Sequence, residues 1–188
     1  MGQASLLVGV SLNGKVVAVA LAVLAILAGG AYFFFAPAHV ILSITDPPPQ
    51  PYDSSITAIE VTFTRIEIHA AGAGNESGWH TLTSGGTVNL LNVLNISQVL
   101  GTTTVPAGKY SEVRFIVNQT IITVNGVNIP YTVPSANQTG FKVVITGGGF
   151  QVMGGLSVTV LLDLAFKNNE ILNNPQHVLT PVATAMVK

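Results

Sequence analysis

Apolar and polar positions change their rhythm once along this chain, near residue 38. Residues 16–38 contain no Asp, Glu, Lys or Arg, and Lys15 stands directly before them. A helix rising about 1.5 Å per residue needs about 20 apolar residues to cross a hydrocarbon core, so the run is long enough to span. It has no polar face, so a soluble protein would bury it only inside a much larger body. Beyond the run, short period-two alternations are cut by Gly, Pro and Asn, which is the pattern of strands and turns.

The first alternation sets Val40, Leu42 and Ile44 against Ile41, Ser43 and Thr45, and Asp46-Pro47-Pro48-Pro49 stops it. Residues 56–69 form a long strand with Ile59, Val61 and Phe63 on one face. The apolar phase then moves to Ile66 and Ile68, which predicts a β-bulge near Thr64-Arg65. Residues 70–78 are a small-residue tip, followed by a short strand at 79–82. Leu90, Leu91, Leu94 and Val99 have helical spacing, so one short helix is expected within 89–100, capped by Asn89 and ended by Gly101. In residues 109–118, Ser111, Val113, Phe115 and Val117 alternate with Tyr110, Glu112, Arg114 and Ile116. Asn125-Gly126 between apolar alternations predicts a type I′ hairpin. Strands at 141–146, 150–153, 157–166 and 182–187 complete an all-β, antiparallel β-sandwich with one short helix behind an N-terminal apolar helix.

Charge settles the expected topology. Lys15 is the only charge among the first 45 residues, which places residues 1–15 in the cytoplasm, 16–38 in the membrane and the domain of 39–188 outside. The run serves either as an uncleaved anchor, with residues 32–35 as an aromatic belt, or as a signal peptide. In the second case the small residues around Gly30 and Ala38 are candidate cleavage points, and the domain is secreted. Charged residues make up 8% of the chain, against about 25% in an ordinary protein. With Lys+Arg 7 and Asp+Glu 8 there is no basic stripe, which excludes nucleic acid as the partner. So few titrating groups suit an extracellular setting that is hot, acidic or both. Cysteine is absent, while sequons at Asn75, Asn95, Asn118 and Asn137 make this a candidate surface glycoprotein of archaeal type. Chance accounts for some sequons in a chain so rich in Asn and Thr.

Several segments in order resemble the exported bacterial and archaeal modules called domain of unknown function 4382. They are LSITDPP (42–48), ITAIEVTFTRIEIH (56–69), GWHTL (78–82), VNLLNV (88–93), VPAGKYSEVRFIV (105–117), VNG (124–126), VPS (133–135), LLDLAF (161–166) and LTPV (179–182). The resemblance covers nearly everything after Val40. It implies a secreted or membrane-tethered β-sandwich and supplies no catalytic residues.

No spacing in the chain encodes a reaction. Asp46, Asp53, Glu60, Glu67 and Asp163 are oxygen ligands for calcium only if loops bring them together, and no local calcium loop is written. Structural carboxylates are the expectation for them. His69 and His80 flank one hairpin but match no zinc spacing. Glu112 and Arg114, two apart on a strand, are expected to pair with solvent-face neighbours. Gly147-Gly148-Gly149 lacks the Lys-Ser/Thr of a phosphate loop, and no catalytic triad is spaced. Tyr52, Trp79, Tyr110 and Tyr131 would stack sugars if exposed together, although packing explains each separately.

The expected function is a non-enzymatic cell-surface module for adhesion or ligand binding, with no cofactor and with a polysaccharide or further copies of itself as partner. The alternative is a glycosylated subunit of an extracellular filament. Cleavage near Gly30 would free residues 31–39, a short apolar segment with no evident place in the domain, to add as a strand to the next subunit.

Overall fold

Asn13 accepts a hydrogen bond from Lys15 N and caps a helix, α1 (Gly14–Phe35), which ends as Ala36 turns extended ahead of Pro37. The computed structural model describes residues 13–46 and 51–188. Within α1 the segment Gly14–Phe33 is long and apolar enough to cross a membrane, and 0% of its spanning window is buried against the rest of the chain. The helix is therefore no part of the domain core. The domain consists of β1 (Ala38–Thr45), β2 (Ile56–Ala70), β3 (Trp79–Asn89), β4 (Gln98–Val105), β5 (Gly108–Val124), β6 (Val127–Tyr131), β7 (Phe141–Val144), β8 (Phe150–Val152), β9 (Ser157–Ala165), α2 (Asn168–Leu172) and β10 (Val182–Val187).

These strands form two facing sheets, the expected sandwich. One has the order β10-β9-β1-β4, the other β3-β2-β5-β6 with β7 and β8 also on β5. Three short strands thus line one flank of β5: β8 beside Gly108 to Tyr110, β7 beside Glu112 to Phe115, and β6 beside Thr120 to Val124. The sheets approach at both edges, where Thr83 Oγ1 donates to Leu100 O at 3.4 Å and Thr146 N to Ala185 O at 2.8 Å. One pair departs from the antiparallel expectation. β1 runs parallel to β9, since the second sheet intervenes between them as the long crossover that a parallel pair requires.

Val40, Leu42 and Ile44 all point into the core at 0% exposure. Leu42→Ala is expected to cost about 3 kcal/mol through lost burial and a cavity. Chemical-denaturation midpoints should show that loss beside a near-neutral Val127→Ala, Val127 being 61% exposed. The position of β1 also corrects the premise of strand donation. Ala38 and His39 already pair with Val105 and Thr104 in β1, so residues 38 and 39 do have a place in the domain.

Bulges set which residues face inward. On β2, Phe63 pairs with Val117 and Arg65 with Ile116, leaving Thr64 extra where the phase change predicts a bulge. β5 has two further irregularities, at Ser111 and Asn118, which the alternation alone does not reveal. The first turns Tyr110 inward beside Val113 and Phe115, so Tyr110 is buried and not on the face of Glu112 and Arg114. The expected helix over 89–100 is replaced by a single 3₁₀ turn, Leu90–Val93, with Asn89 capping Leu91 N as anticipated. Asn95 then takes a positive φ of 58°, and the chain leaves as β4. Gly101 sits inside that strand opposite Leu42, where a Cβ would stand 3.1 Å from the Thr83 side chain. It serves close approach and not a helix end. The short helix is instead α2. The Asn125-Gly126 hairpin forms as expected, with φ of 50° and 78°.

Candidate functional site

Along β2 the side chains of Ile66 and Ile68 enter the core, so Arg65, Glu67 and His69 face outward. Register decides their neighbours. Glu67 lies opposite Thr81 on β3 and Arg114 on β5, Arg114 lies opposite Lys142 on β7, and His69 lies opposite Trp79. Glu67 is buried, and both its oxygens accept from arginines: Oε1 from Arg65 Nε at 3.0 Å, and Oε2 from Arg114 Nε at 2.8 Å and NH2 at 2.7 Å. The Arg114 guanidinium lies 4.1 Å from the centre of the Trp79 ring and Lys142 Nζ lies 5.4 Å from it, both within cation–π range. The indole is fixed in turn, since Nε1 donates to Asn75 O at 2.9 Å and the His69 ring packs at 4.6 Å. His69 Nε2 donates to the Gly74 and Ser77 carbonyls, at 3.1 and 2.9 Å, and ties down the tip.

Beside this stack opens a cleft of about 510 Å³ lined by Arg65, Glu76, Arg114, Gln138, Thr139, Gly140 and Lys142. Three of the chain's seven Lys and Arg meet there. Glu67 and Glu76 offset two of the three, which leaves the cleft positive by one charge. Glu67 pairs with both arginines at the cleft floor, and Gln138 and Thr139 bring amide and hydroxyl groups to its rim. The cleft has no activated nucleophile.

A second polar cluster is buried at the end of β1. Asp46, at 0% exposure, accepts from Tyr52 Oη at 2.9 Å, and Tyr52 Oη accepts from Phe166 N at 3.1 Å. Asp46 Oδ1 has no hydrogen-bond partner among the described residues. Burial pushes the Asp46 carboxyl up to about 7, the Tyr52 bond opposes this, and the charge of Asp163 adds to it. Burial raises Asp163 and Tyr52 above their ordinary values too.

The five acids considered for calcium therefore divide. Asp46 and Asp163 are neighbours, Glu67 is committed to two arginines, Asp53 accepts from Ser55 N and Oγ, and Glu60 is exposed. Among the described residues no three His, Cys, Asp or Glu side chains gather to hold a metal. His69 faces outward, while His80 pairs with Ile68 on the inner face and packs on Tyr110. The two histidines do not converge. Arg114 pairs across strands with Glu67, and Glu112 joins no ion pair among the described residues. The aromatic platform does not form. Tyr110 donates to Pro106 O inside the core, Tyr131 donates to Ile171 O, and Tyr52 belongs to the Asp46 cluster, leaving Trp79 alone on the outer face. Asn75, Asn95, Asn118 and Asn137 are all exposed, and Asn118 and Asn137 share a small cleft of about 110 Å³. Thr120 of the Asn118 sequon is 1% exposed, so its hydroxyl is hidden once the domain folds. Of the cleavage candidates, Gly30 lies within α1 and Ala38 is buried at the start of β1. Asp46 lies within the described residues, whereas the Pro47-Pro48-Pro49 stop lies outside them.

The alternation of residues 109–118 sets Arg114 on the solvent face, but no local signal shows that Arg65, Glu67, Lys142, Gln138 and Thr139 gather around it. Lys142, Gln138 and Thr139 arrive from a different connection, and only strand register brings them near. Fold and site together define a two-sheet β-sandwich module mounted directly on an apolar helix, with a polar cleft on one outer face. The chain belongs to the family described as Domain of unknown function (DUF4382), whose sequence profile matches residues 37–181. The match begins where α1 ends. No curated protein and no solved structure matches the chain.

Proposed function

We propose that this chain is a non-enzymatic binding module displayed outside the cell by α1, and that its ligand is an acidic polysaccharide seated in the Arg65–Lys142 cleft. The observation that carries this reading is the gathering of Arg65, Arg114 and Lys142 around one cleft in a chain so poor in charge. Arg65 and Lys142 are exposed to an incoming ligand, and Glu67 offsets only part of the charge. Gln138 and Thr139 add hydrogen-bonding groups, and the Trp79 ring braces Arg114 and Lys142 by cation–π contact. Support for display outside the cell comes from α1 and from the exposed sequons, Asn75 and Asn137 standing next to the cleft residues Glu76 and Gln138.

Titration of the full chain in nanodiscs with a polyuronate and with neutral dextran tests the proposal. The polyuronate is expected to bind and to weaken as salt rises. The Arg65→Ala/Lys142→Ala double variant should lose about tenfold in affinity or more, since about 1.4 kcal/mol is lost for each tenfold step. Equal binding of the neutral polymer, or no change in the double variant, would sink it.

A further inference from the structure

The last turn of α1 is not free of the domain. Gly154 N donates to Phe33 O at 2.8 Å, Gly155 N donates to Pro37 O at 3.0 Å, and His39 N donates to Leu156 O at 2.9 Å. A helix end normally leaves its last carbonyls without partners. Here the turn between β8 and β9 supplies one of them. Both glycines are required by the closeness of the fit. A Cβ at 154 would stand 2.5 Å from Tyr32 O and 2.6 Å from Ala36 O, and one at 155 would stand 2.6 Å from the Tyr32 ring. Residues 153–156 thus form a socket for the end of the helix.

The socket is apolar on its outside. Met153 and Leu156 are 49% and 42% exposed, next to Tyr32, Phe33 and Phe35 at 58%, 49% and 85%. Residues 151–157 carry no charge. Phe33 is the last residue of the spanning segment, and the socket is hydrogen-bonded to it. The turn must therefore lie at the depth of the membrane boundary, where a layer of headgroups about 5–7 Å thick meets the hydrocarbon. Aromatic side chains are favoured at that level.

We propose that residues 153–156 are a membrane-seating surface: Met153 and Leu156 contact lipid at the outer boundary and hold the sandwich at a fixed attitude on α1. This rests on the reading of α1 as a retained anchor and goes beyond it, because an anchor by itself would tolerate a loose tether. The occupant is the lipid surface, since the hydrogen bonds to Phe33 and Pro37 leave the turn no other depth. The opposite end of the domain is far away. β5 starts at Gly108 beside Val152 and ends at Val124, roughly 50 Å along the strand.

The absence of cysteine makes the test direct. Met153→Cys and Val127→Cys, each labelled with an environment-sensitive fluorophore, are placed in the full chain in phosphatidylcholine nanodiscs, one protein per disc. Some discs carry lipid brominated near the headgroup end of its acyl chains. The label at 153 is expected to shift to the blue and to be quenched by bromine, and the label at 127 to do neither. Gly154→Val should abolish the quenching at 153 while the domain stays folded by circular dichroism. If intact mass and flotation show α1 in the bilayer but the 153 label is unquenched, this inference falls and the anchor stands. A blue shift without quenching would mean contact with protein and would also overturn it. A mature chain that lacks α1 would overturn both.

Discussion

Between about pH 8 and pH 4 the folded domain is expected to gain stability, by up to about 4 kcal/mol, and Asp46→Asn should remove most of that gain. The sign follows from the direction of the shift. The Asp46 carboxyl is raised from 3.8 to about 7 in the folded domain, so folding favours its protonated form. Its contribution is fully present below the unfolded value and is lost as pH rises through the folded one. The cause is its place at the end of the central strand β1: it has no exposure, one donor in Tyr52 and no partner for Oδ1 among the described residues. Asp163, also raised by burial, acts in the same direction. Asp53 is held below its ordinary value by Ser55 and opposes both, but it is exposed to solvent and its contribution is small. Asparagine keeps the acceptor for Tyr52 and cannot ionise. Urea midpoints of the chain in detergent at the two pH values provide the measurement. A flat profile in the unsubstituted protein, or an unchanged slope in Asp46→Asn, would contradict this account of the cluster. A domain with this preference is best suited to neutral or acid surroundings.

Glu67→Ala is expected to destabilise the domain by about 3 kcal/mol, because it leaves buried cationic charge without its counterion. Glu67 is 7% exposed, and the two arginines it serves differ. The Arg65 side chain is 46% exposed and that of Arg114 is 13% exposed. Arg65→Ala should cost less than about 1 kcal/mol, as an exposed pair does. Arg114→Ala should cost nearly as much as Glu67→Ala, since it also strips the cover from Trp79. Replacing Glu67 and Arg114 together by leucine should recover much of the loss. The measurement is a double-mutant cycle from denaturant unfolding. Equal costs for the two arginines would show that burial does not set the strength of this pair. The same variants should weaken the cleft, because Glu67 positions both Arg65 and Arg114 at its floor.

Much of this organisation was legible in the chain itself. An uncharged apolar run of more than twenty residues is long enough for a helix that crosses a membrane, and α1 covers most of it. Val40, Leu42 and Ile44 announce β1, the slip from Phe63 to Ile66 announces a bulge, and Asn125-Gly126 announces the hairpin. Each is a local signal, carried by neighbours in sequence. Local signals also misled. Leu90, Leu91 and Leu94 have helical spacing, but a positive φ at Asn95 and a place beside β1 turn the following residues into β4. Tyr110 alternates with the wrong face until the irregularity at Ser111 turns it inward.

The site was less legible for a physical reason. Arg114 is legible as a solvent-face residue, but which charge meets which depends on register between strands far apart in sequence. Lys142 reaches Trp79 only because β7 pairs with β5 while β3 pairs with β2 on the other side. The neutral tendency of Asp46 depends likewise on burial, where Tyr52, the backbone at Phe166 and the turn at Val93 and Leu94 meet at the end of β1. The sequence by itself determined most of the strands, most of the side chains that enter the core and the helix long enough to cross a membrane. Those follow from periodicity and transfer free energy, which act along the chain. The tertiary structure alone decided the cleft, the buried carboxyl and the socket on α1, because each is a meeting of residues whose separation in sequence carries no signal of their distance in space.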